Sequence, residues 1–384
     1  MKRFRTALFA GTALTIVSAA PAVALDGVVA SIKPVHSLVA AVMGDVGAPS
    51  LLVSGAGSPH TYSMRPSEAQ MLESASLIFW VGHDLEMFLD GPLDTLAGNA
   101  TVVELGEADG LTRLAYREGG PFESHEHDHE AEAEGEHDPA HESASHDADD
   151  AHDHAHEHEE AAAESDHAHE HEDDEAEAAE AAHSHEHAHE DEADAGGAHD
   201  HAHEAEAGHA HGAYDMHFWL DPENAKVMVR EIEAALSAAD PDNAQTYAAN
   251  AAATTERLDV LLTETQAAID NVDNRGFIVF HDAYQYYENR FGIEAAGSIT
   301  VSPEVMPGAQ RLTDIQERVR ELGAACVFSE PQFEPRLVSV ITEGTEAKAG
   351  VLDPLGADLE EGAELYFELI GNLTTSLTTC LSES

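Results

Sequence analysis

Histidines are the residues of this chain whose type and spacing could do chemistry. Of the 27 histidines, 22 lie between Glu123 and His211, interleaved with 33 aspartates and glutamates and with no lysine or arginine. Neutral imidazole binds zinc, copper, nickel and cobalt, and His-rich tracts are typical of metal binding. The sequence therefore predicts that this tract, residues 123–211, captures metal ions. The alternative, an acidic solubilising linker, would need the carboxylates but no histidine.

The tract cannot build a core of its own. Alanine is its only apolar residue, so folding would bury too little surface to offset the entropy of ordering the chain. We expect the tract to be disordered when free.

Three histidines outside the tract, together with one aspartate, are candidate zinc ligands. His60 lies in a loop after a predicted strand, His281 and Asp353 directly follow predicted strands, and His217 lies where the chain leaves the tract. Ligands of open parallel sheets bind beyond the carboxyl ends of the strands. Three imidazoles and a carboxylate could form a tetrahedral zinc site there.

Each candidate has a structural alternative. His60 could be exposed in its loop, His217 could cap the helix at Pro222, and His281 could bond to the backbone at its strand end. Asp353 precedes Pro354 and could be a turn residue. For His36 and His83 we favour a structural role, and we expect the aromatic residues Trp80, Trp219 and Tyr284 to belong to the core or the cleft wall.

Alternating apolar runs and helical patterns predict the elements that position these residues. The strands are predicted at 28–32, 51–53, 77–81, 101–105, 277–280, 293–299, 325–329 and 350–352. Helices are predicted at 34–43, from 66, 84–96, 222–239, 241–272, after 282, 307–322, from 335 and 360–381. Strands separated by helices of this length indicate parallel sheets. The long segment 241–272 is predicted to be a rigid helix that connects two domains.

The predicted fold is therefore α/β, with two Rossmann-like lobes joined by one long helix and a disordered His-rich insertion. The predicted domains are a signal peptide (1–24), an N-terminal lobe (25–122), the tract (123–211), the end of the N-terminal lobe (212–240), the linking helix (241–272) and a C-terminal lobe (273–384).

The N-terminus and the net charge indicate where the protein works. Lys2, Arg3 and Arg5 precede a short apolar run and small residues up to Ala24, which is typical of a secretory signal peptide rather than a membrane anchor. No cysteine near that point could carry a lipid. The net charge of −58, of which −25 lies outside the tract, disfavours nucleic acid and anionic membranes and favours cations. We expect a soluble, monomeric periplasmic protein.

Cys326 and Cys380 are the two cysteines of the chain. An even pair in an exported protein predicts a disulfide, which would tie a strand to the last helix. Two buried free thiols are the alternative. A cysteine-ligated metal site is disfavoured because no CxxC spacing is present.

Several motifs resemble those of the ZnuA-type zinc-binding proteins of bacterial ABC transporters, which share the TroA-like fold. The motifs are Ser58-Pro-His60-Thr-Tyr, Phe79-Trp-Val-Gly-His-Asp-Leu-Glu86, Met216-His217-Phe-Trp-Leu-Asp-Pro, Phe280-His281-Asp-Ala-Tyr and Leu352-Asp353-Pro-Leu-Gly. They occur in the order of that family and span nearly all of the mature chain.

The resemblance implies two Rossmann-like lobes linked by one long helix, with metal bound between them. It places His60, His217 and His281 at three ligand positions and Asp353 at a fourth, and the cysteine pair matches a disulfide of some zinc-binding members. Some members carry a glutamate before the first histidine, where this chain has Pro59. The fourth ligand therefore stays open between Asp353, water and a group from the tract.

The resulting prediction is a periplasmic protein that binds Zn²⁺ as transported cargo and delivers it to an inner-membrane ABC permease powered by its ATPase. We predict no catalysis. A zinc buffer or metallochaperone not tied to a transporter is the alternative. A zinc hydrolase is a third, disfavoured because the chain outside the tract has no HExxH motif and no obvious base lies beside the candidate ligands. The nitrogen ligands favour zinc over manganese but do not exclude copper or nickel.

Overall fold

The computed structural model describes residues 25–117, 122, 214–272, 275–300, 303, 306–334 and 336–382. The predicted signal peptide and the predicted disorder of the tract therefore lie outside the described residues. Among the residues that are described, none of the helices has the length and apolar character needed to cross a bilayer.

The chain begins with a parallel sheet of four short strands. These strands are β1 (Val28–Ala30), β2 (Ser50–Leu51), β3 (Leu77–Trp80) and β4 (Thr101–Glu104), in the spatial order β2-β1-β3-β4. Three helices connect them: α1 (Lys33–Met43), α2 (Pro66–Glu73) and α3 (Asp90–Leu96). β1 and β3 are buried at every residue, as expected for strands of a parallel sheet covered on both faces.

The second sheet repeats this arrangement in the later part of the chain. Its strands are β5 (Phe277–His281), β6 (Gly297–Thr300), β7 (Cys326–Ser329) and β8 (Lys348–Val351), all parallel, in the order β6-β5-β7-β8. Its helices are α6 (Gln285–Phe291), α7 (Ala309–Leu322), α8 (Arg336–Thr342) and α9 (Leu365–Ser382).

Two long helices lie between the sheets in sequence, α4 (Pro222–Ala239) and α5 (Ala244–Ile269). α5 packs against α4, against α1 of the first lobe and against α9 of the second. The predicted fold class, two parallel α/β lobes joined by one long helix, is confirmed for the described residues. The exact domain bounds stay a prediction.

Several predicted elements begin later than the sequence pattern suggested; the last helix, for example, starts at Leu365 rather than at 360. The helix predicted from Asp84 starts at Asp90, after a short 3₁₀ turn, because Pro92 is tolerated only in the first turn of a helix. The strand predicted from Ile293 starts at Gly297. Gly292 ends α6 in the left-handed conformation, and the amide of Ile293 donates back to the carbonyl of Glu288, so Ile293 belongs to the helix cap.

One continuous apolar core joins the two lobes. It includes Phe79 of the first sheet, Leu236 of α4, Leu258 of α5 and Val279 of the second sheet, all of which are fully buried. Separate apolar clusters cover the opposite faces of the two sheets. Because the shared core passes through the connecting helices, apolar packing resists a large separation of the lobes.

Cys326 of β7 and Cys380 of α9 form the predicted disulfide, with their Cα atoms 6.2 Å apart. The alternative of two free thiols is therefore wrong. The bond fastens the last helix to a central strand of the second sheet.

Replacing both cysteines by serine should destabilise the second lobe. A disulfide that closes a loop with a sequence separation of 54 residues contributes about 4 kcal/mol in the chain-entropy model. Urea unfolding, followed by circular dichroism in the presence of a metal chelator, should show a matching fall in the free energy of unfolding. An unchanged midpoint for the double variant would contradict this account.

Candidate metal centre

The three predicted histidines meet in one cluster. Nε2 of His217 lies 3.3 Å from Nε2 of His60 and 3.3 Å from Nε2 of His281. One ligand atom from each residue lies within 4.8 Å of the others, and no other described His, Cys, Asp or Glu joins this group. His217 and His281 are buried, while His60 is partly exposed.

The nitrogen spacing has the size required for tetrahedral zinc. Zn–N bonds measure about 2.0 to 2.1 Å, so two tetrahedral nitrogen ligands are separated by about 3.3 to 3.4 Å. The His217 pairs with His60 and His281 match that separation.

Carboxylates decide which nitrogen of each buried ring carries the proton. Nδ1 of His217 lies 2.7 Å from Oδ1 of Asp215, and Nδ1 of His281 lies 2.8 Å from Oε1 of Glu330. An ionised carboxylate only accepts hydrogen bonds, so both Nδ1 atoms donate and the Nε2 lone pairs face the cluster. With both rings neutral, no hydrogen lies in their 3.3 Å contact, so two acceptor lone pairs face each other and the contact favours a cation.

His60 is positioned by a loop tied to the start of α2. The Tyr62 hydroxyl donates to Glu68 at 2.8 Å and accepts from Arg65 at 2.9 Å, while the Arg65 amide donates to Glu68 at 2.7 Å. Gly55 takes a positive φ of 65°, which a residue with a side chain would adopt only at a cost in strain.

His217 is held by a segment, residues 214–221, that contacts both lobes. Asp215 has no exposed surface and accepts from Gln285 of α6 at 2.8 Å, while its backbone carbonyl accepts from Tyr286 at 2.7 Å. Two residues after His217, the indole of Trp219 donates to the carbonyl of Pro354 at 2.9 Å. The segment of the first lobe is therefore bonded to the second on both sides of the ligand.

His281 is the last residue of β5, and Glu330 directly follows the neighbouring strand β7. The carboxyl ends of two adjacent parallel strands thus bring the ring and its acceptor together. Glu330 is 2% exposed, so its bond to His281 is shielded from water.

Burial and charge affect the histidines differently. Burial, with the neighbouring His217 and His281, holds the pKa of His60 well below 6.5. Burial also lowers the pKa of His281, but attraction to Glu330, the hydrogen bond to it and the charges of Asp282 and Asp215 raise that pKa above 6.5 overall. His281 is therefore the ring that takes up a proton more readily than His60.

Asp353, predicted as a fourth ligand, lies outside the cluster of ligand atoms. Oδ1 accepts from the amides of Leu355 and Gly356 at 3.0 Å and from the Gln332 side chain at 2.9 Å, and Oδ2 accepts from the amide of Ala357 at 2.6 Å. Four hydrogen-bond donors therefore surround this carboxylate and hold the turn together, as expected for a turn residue before proline.

The other sequence predictions concern structural residues. His36 is buried and bonds through Nε2 to the carbonyl of Pro49 at 3.1 Å, while His83 pairs with Asp90 at 2.6 Å. Asp221, and not His217, caps α4 by accepting from the amide of Glu223 at 2.8 Å.

The aromatic residues Trp80, Trp219 and Tyr284 are buried, as predicted. Trp219 also lines the cavity beside the cluster.

Sequence reasoning missed the residues that orient the ligands, Asp215 and Glu330. Glu330 directly follows a predicted strand, which is the signal that identified His281. Asp215 lies two residues before His217 in a segment without periodicity, so only its proximity to a candidate ligand could have marked it.

Comparisons with known proteins agree with this geometry. Residues 28–380 match the family described as zinc-uptake complex component A periplasmic, or ZnuA. The chain is 51% identical over 358 residues to the high-affinity zinc uptake system protein ZnuA of Brucella suis biovar 1, covering 93% of this chain and 92% of that protein. It is 31% identical to the protein of the same name from Yersinia pestis, covering 92% and 91%.

Solved structures share the fold. The crystal structure of a ZnuA protein superimposes with a TM-score of 0.60 at 20% sequence identity, covering 92% of this chain and 98% of that one. The similarity extends through both lobes.

Replacing Asp215 by asparagine should weaken zinc binding by roughly 10- to 100-fold, the usual effect of losing the partner that orients a metal-binding histidine. Asparagine has only one acceptor oxygen, so its amide nitrogen would face an N–H donor of either His217 or Gln285. Competition against a chromophoric chelator measures the affinity.

Asp221→Asn is the matched control. Asp221 is a buried aspartate of the same segment, but it bonds to Arg290 and caps α4. Its loss should lower stability while zinc affinity stays within a few-fold. Equal affinities for Asp215→Asn and the parent chain would refute the orienting role.

Proposed function

Because this chain belongs to the family of periplasmic zinc-uptake complex component A proteins, we propose that it captures Zn²⁺ in the periplasm and delivers it to an inner-membrane ABC permease driven by an ATPase. The observation that carries the proposal is the cluster of three Nε2 atoms whose spacing suits tetrahedral zinc. Zinc is cargo in this function, so the protein binds and releases it and catalyses nothing.

We propose His60, His217 and His281 as the protein ligands. Three imidazoles suit a borderline-soft ion such as zinc better than manganese, which prefers oxygen ligands. Asp353 is assigned to the turn that it organises, because its oxygens already accept four hydrogen bonds.

The cavity supports transport rather than catalysis. Beside the histidines, the space open to the centre of a water molecule is about 10 Å³, which leaves no room for an organic substrate next to the ion. A small site suits an ion that enters and leaves alone.

Capture and release would involve only a small lobe movement. Lys33 of α1 donates to the carbonyls of Gly356, Ala357 and Leu359 in the second lobe at 2.7 to 3.0 Å, and Arg290 pairs with Asp221 across the same boundary at 2.7 Å. Like the shared apolar core, these bonds limit how far the two lobes can move apart. Release then requires a partner that contacts both lobes, and an ABC permease is such a partner.

The mature protein should bind one zinc ion tightly, with weaker sites contributed by the tract. Deleting residues 123–211 should remove the weaker sites and keep the tight one, while His281→Ala in that shortened chain should weaken the tight site by at least a hundredfold. Asp353→Asn is the matched control and should keep it within a few-fold. Isothermal titration with chelator competition resolves the two classes of site.

Growth under zinc chelation separates transport from buffering. A strain lacking the gene should grow poorly, and the tract-deleted protein should restore growth while its His281→Ala variant should not. Loss of tight binding on tract deletion would refute the ligand assignment. Normal growth of the deletion strain under chelation, with sensitivity only to excess zinc, would favour the buffer.

Zinc affinity should fall with pH because protons compete for the same nitrogens. Metal needs neutral imidazole, and the pKa of His281 lies above 6.5, so affinity should be constant above that pKa and fall about tenfold per pH unit below it. Titration of the tract-deleted protein between pH 8 and 5 isolates the site. An affinity independent of pH over this range would contradict histidine ligation.

A further inference from the structure

The chain segments that flank the tract pair with each other. Ala115 before the tract and Tyr214 after it form an antiparallel bridge, and the amide of Asp215 donates to the carbonyl of Leu114 at 2.9 Å. The ligand His217 follows Asp215 by two residues. The segment before the tract therefore helps to place this ligand, although the whole tract separates the two in sequence.

A single hydroxyl group of the second lobe bonds to both segments. Tyr286 of α6 accepts from the amide of Leu114 at 2.9 Å and donates its one proton to the carbonyl of Asp215 at 2.7 Å. An amide N–H only donates and a carbonyl only accepts, so the direction of both bonds is fixed. Tyr286 is 2% exposed, so both bonds are shielded from water.

The neighbouring residue of α6 makes a second connection of the same kind. The side-chain amide of Gln285 donates to the carbonyl of Ala115 at 3.1 Å and to Oδ2 of Asp215 at 2.8 Å. Gln285 thus holds the side chain of Asp215, which orients His217, while Tyr286 holds its backbone.

An ion pair connects the segment before the tract to the other buried ligand. Nε of Arg117 donates to both oxygens of Asp282 at 3.0 Å, and Nη1 donates to Oε2 of Glu288 at 2.6 Å. The two carboxylate side chains are 7% and 4% exposed, so solvent screens the ion pair only weakly. Asp282 directly follows the ligand His281.

Together these groups form a clasp between the lobes, made of residues 114–117, 214–215, 282, 285, 286 and 288. Both buried ligands lie within two residues of the clasp, His217 on the side of the first lobe and His281 on the side of the second. Their Nε2 atoms lie 3.3 Å apart. Metal ligands need placement to within about 0.5 Å, and the clasp has the location required to set this spacing.

Resting on the proposed function, we propose that Tyr286 is a positioning residue for zinc binding. Its hydroxyl fastens both segments that flank the tract to α6 and so sets the spacing of His217 and His281. Without that hydroxyl, the amide of Leu114 and the carbonyl of Asp215 lose their partner on α6, and the segment that carries His217 can shift against the second lobe.

The adjacent Tyr287 provides a matched control. It is fully buried in the same helix, and its hydroxyl lies 2.8 Å from the hydroxyl oxygen of Thr374 in α9, within the second lobe. Tyr286→Phe and Tyr287→Phe each remove one buried hydroxyl, so both should lower stability by a similar amount. Tyr286→Phe also releases a connection between the lobes.

The zinc affinity of the full-length mature protein separates the two variants. Tyr286→Phe should weaken the tight site by roughly tenfold, the usual order of effect for a residue that orients metal ligands. Tyr287→Phe should leave that affinity within a few-fold. Competition with a chelator strong enough to keep the weaker sites of the tract empty measures the affinity, and urea unfolding without metal measures the stability.

The visible spectrum of protein loaded with less than one equivalent of Co²⁺ adds a readout that loss of stability alone would not move. The absorption bands of Co²⁺ depend on the arrangement of its ligands. The bands of Tyr286→Phe should differ from those of the parent protein, whereas Tyr287→Phe should keep the parent spectrum.

Equal zinc affinities for Tyr286→Phe and the parent protein would overturn the positioning role and leave the transport proposal intact. Equal weakening by both tyrosine variants would also overturn it, because the effect would then follow from general loss of stability. Failure of the parent protein to bind one zinc ion tightly would instead refute the proposed function.

Discussion

The structure depends on imidazole lone pairs held face to face. His217 and His281 each commit Nδ1 to a buried carboxylate, so their Nε2 atoms meet at 3.3 Å as two acceptors when both rings are neutral. Such a contact is unfavourable inside a protein unless a cation lies within it. A divalent ion placed between the two lone pairs removes this repulsion. A proton competes with the ion for the same nitrogen atoms.

Maintaining that contact requires both lobes. The segment 214–221 supplies His217 from the first lobe, yet Asp215, Trp219 and Asp221 are bonded to residues of the second. His281 comes from the second sheet, and the shared core and α5 fix the distance between the sheets. Movement of one lobe against the other therefore alters the ligand geometry directly, because His217 and His281 come from different lobes.

Much of this arrangement could be predicted from the sequence because parallel strands appear as short apolar runs and ligands gather at their carboxyl ends. His281 was found in that way. The role of Asp353 could not be decided, since a carboxylate before proline can face a metal or its own turn. Only the folded structure shows its oxygens meeting the amides of Leu355, Gly356 and Ala357. Glu330 and Gln332 escaped notice because their partners come from other strands and turns.

An anomalous difference map at the zinc edge, from crystals of the zinc-loaded, tract-deleted protein, tests the central claim most directly. The account predicts a single strong peak about 2.0 to 2.1 Å from the Nε2 atoms of His60, His217 and His281, with Asp353 still bonded to its turn. A strong peak elsewhere, or one coordinated by fewer than three of these histidines, would contradict it.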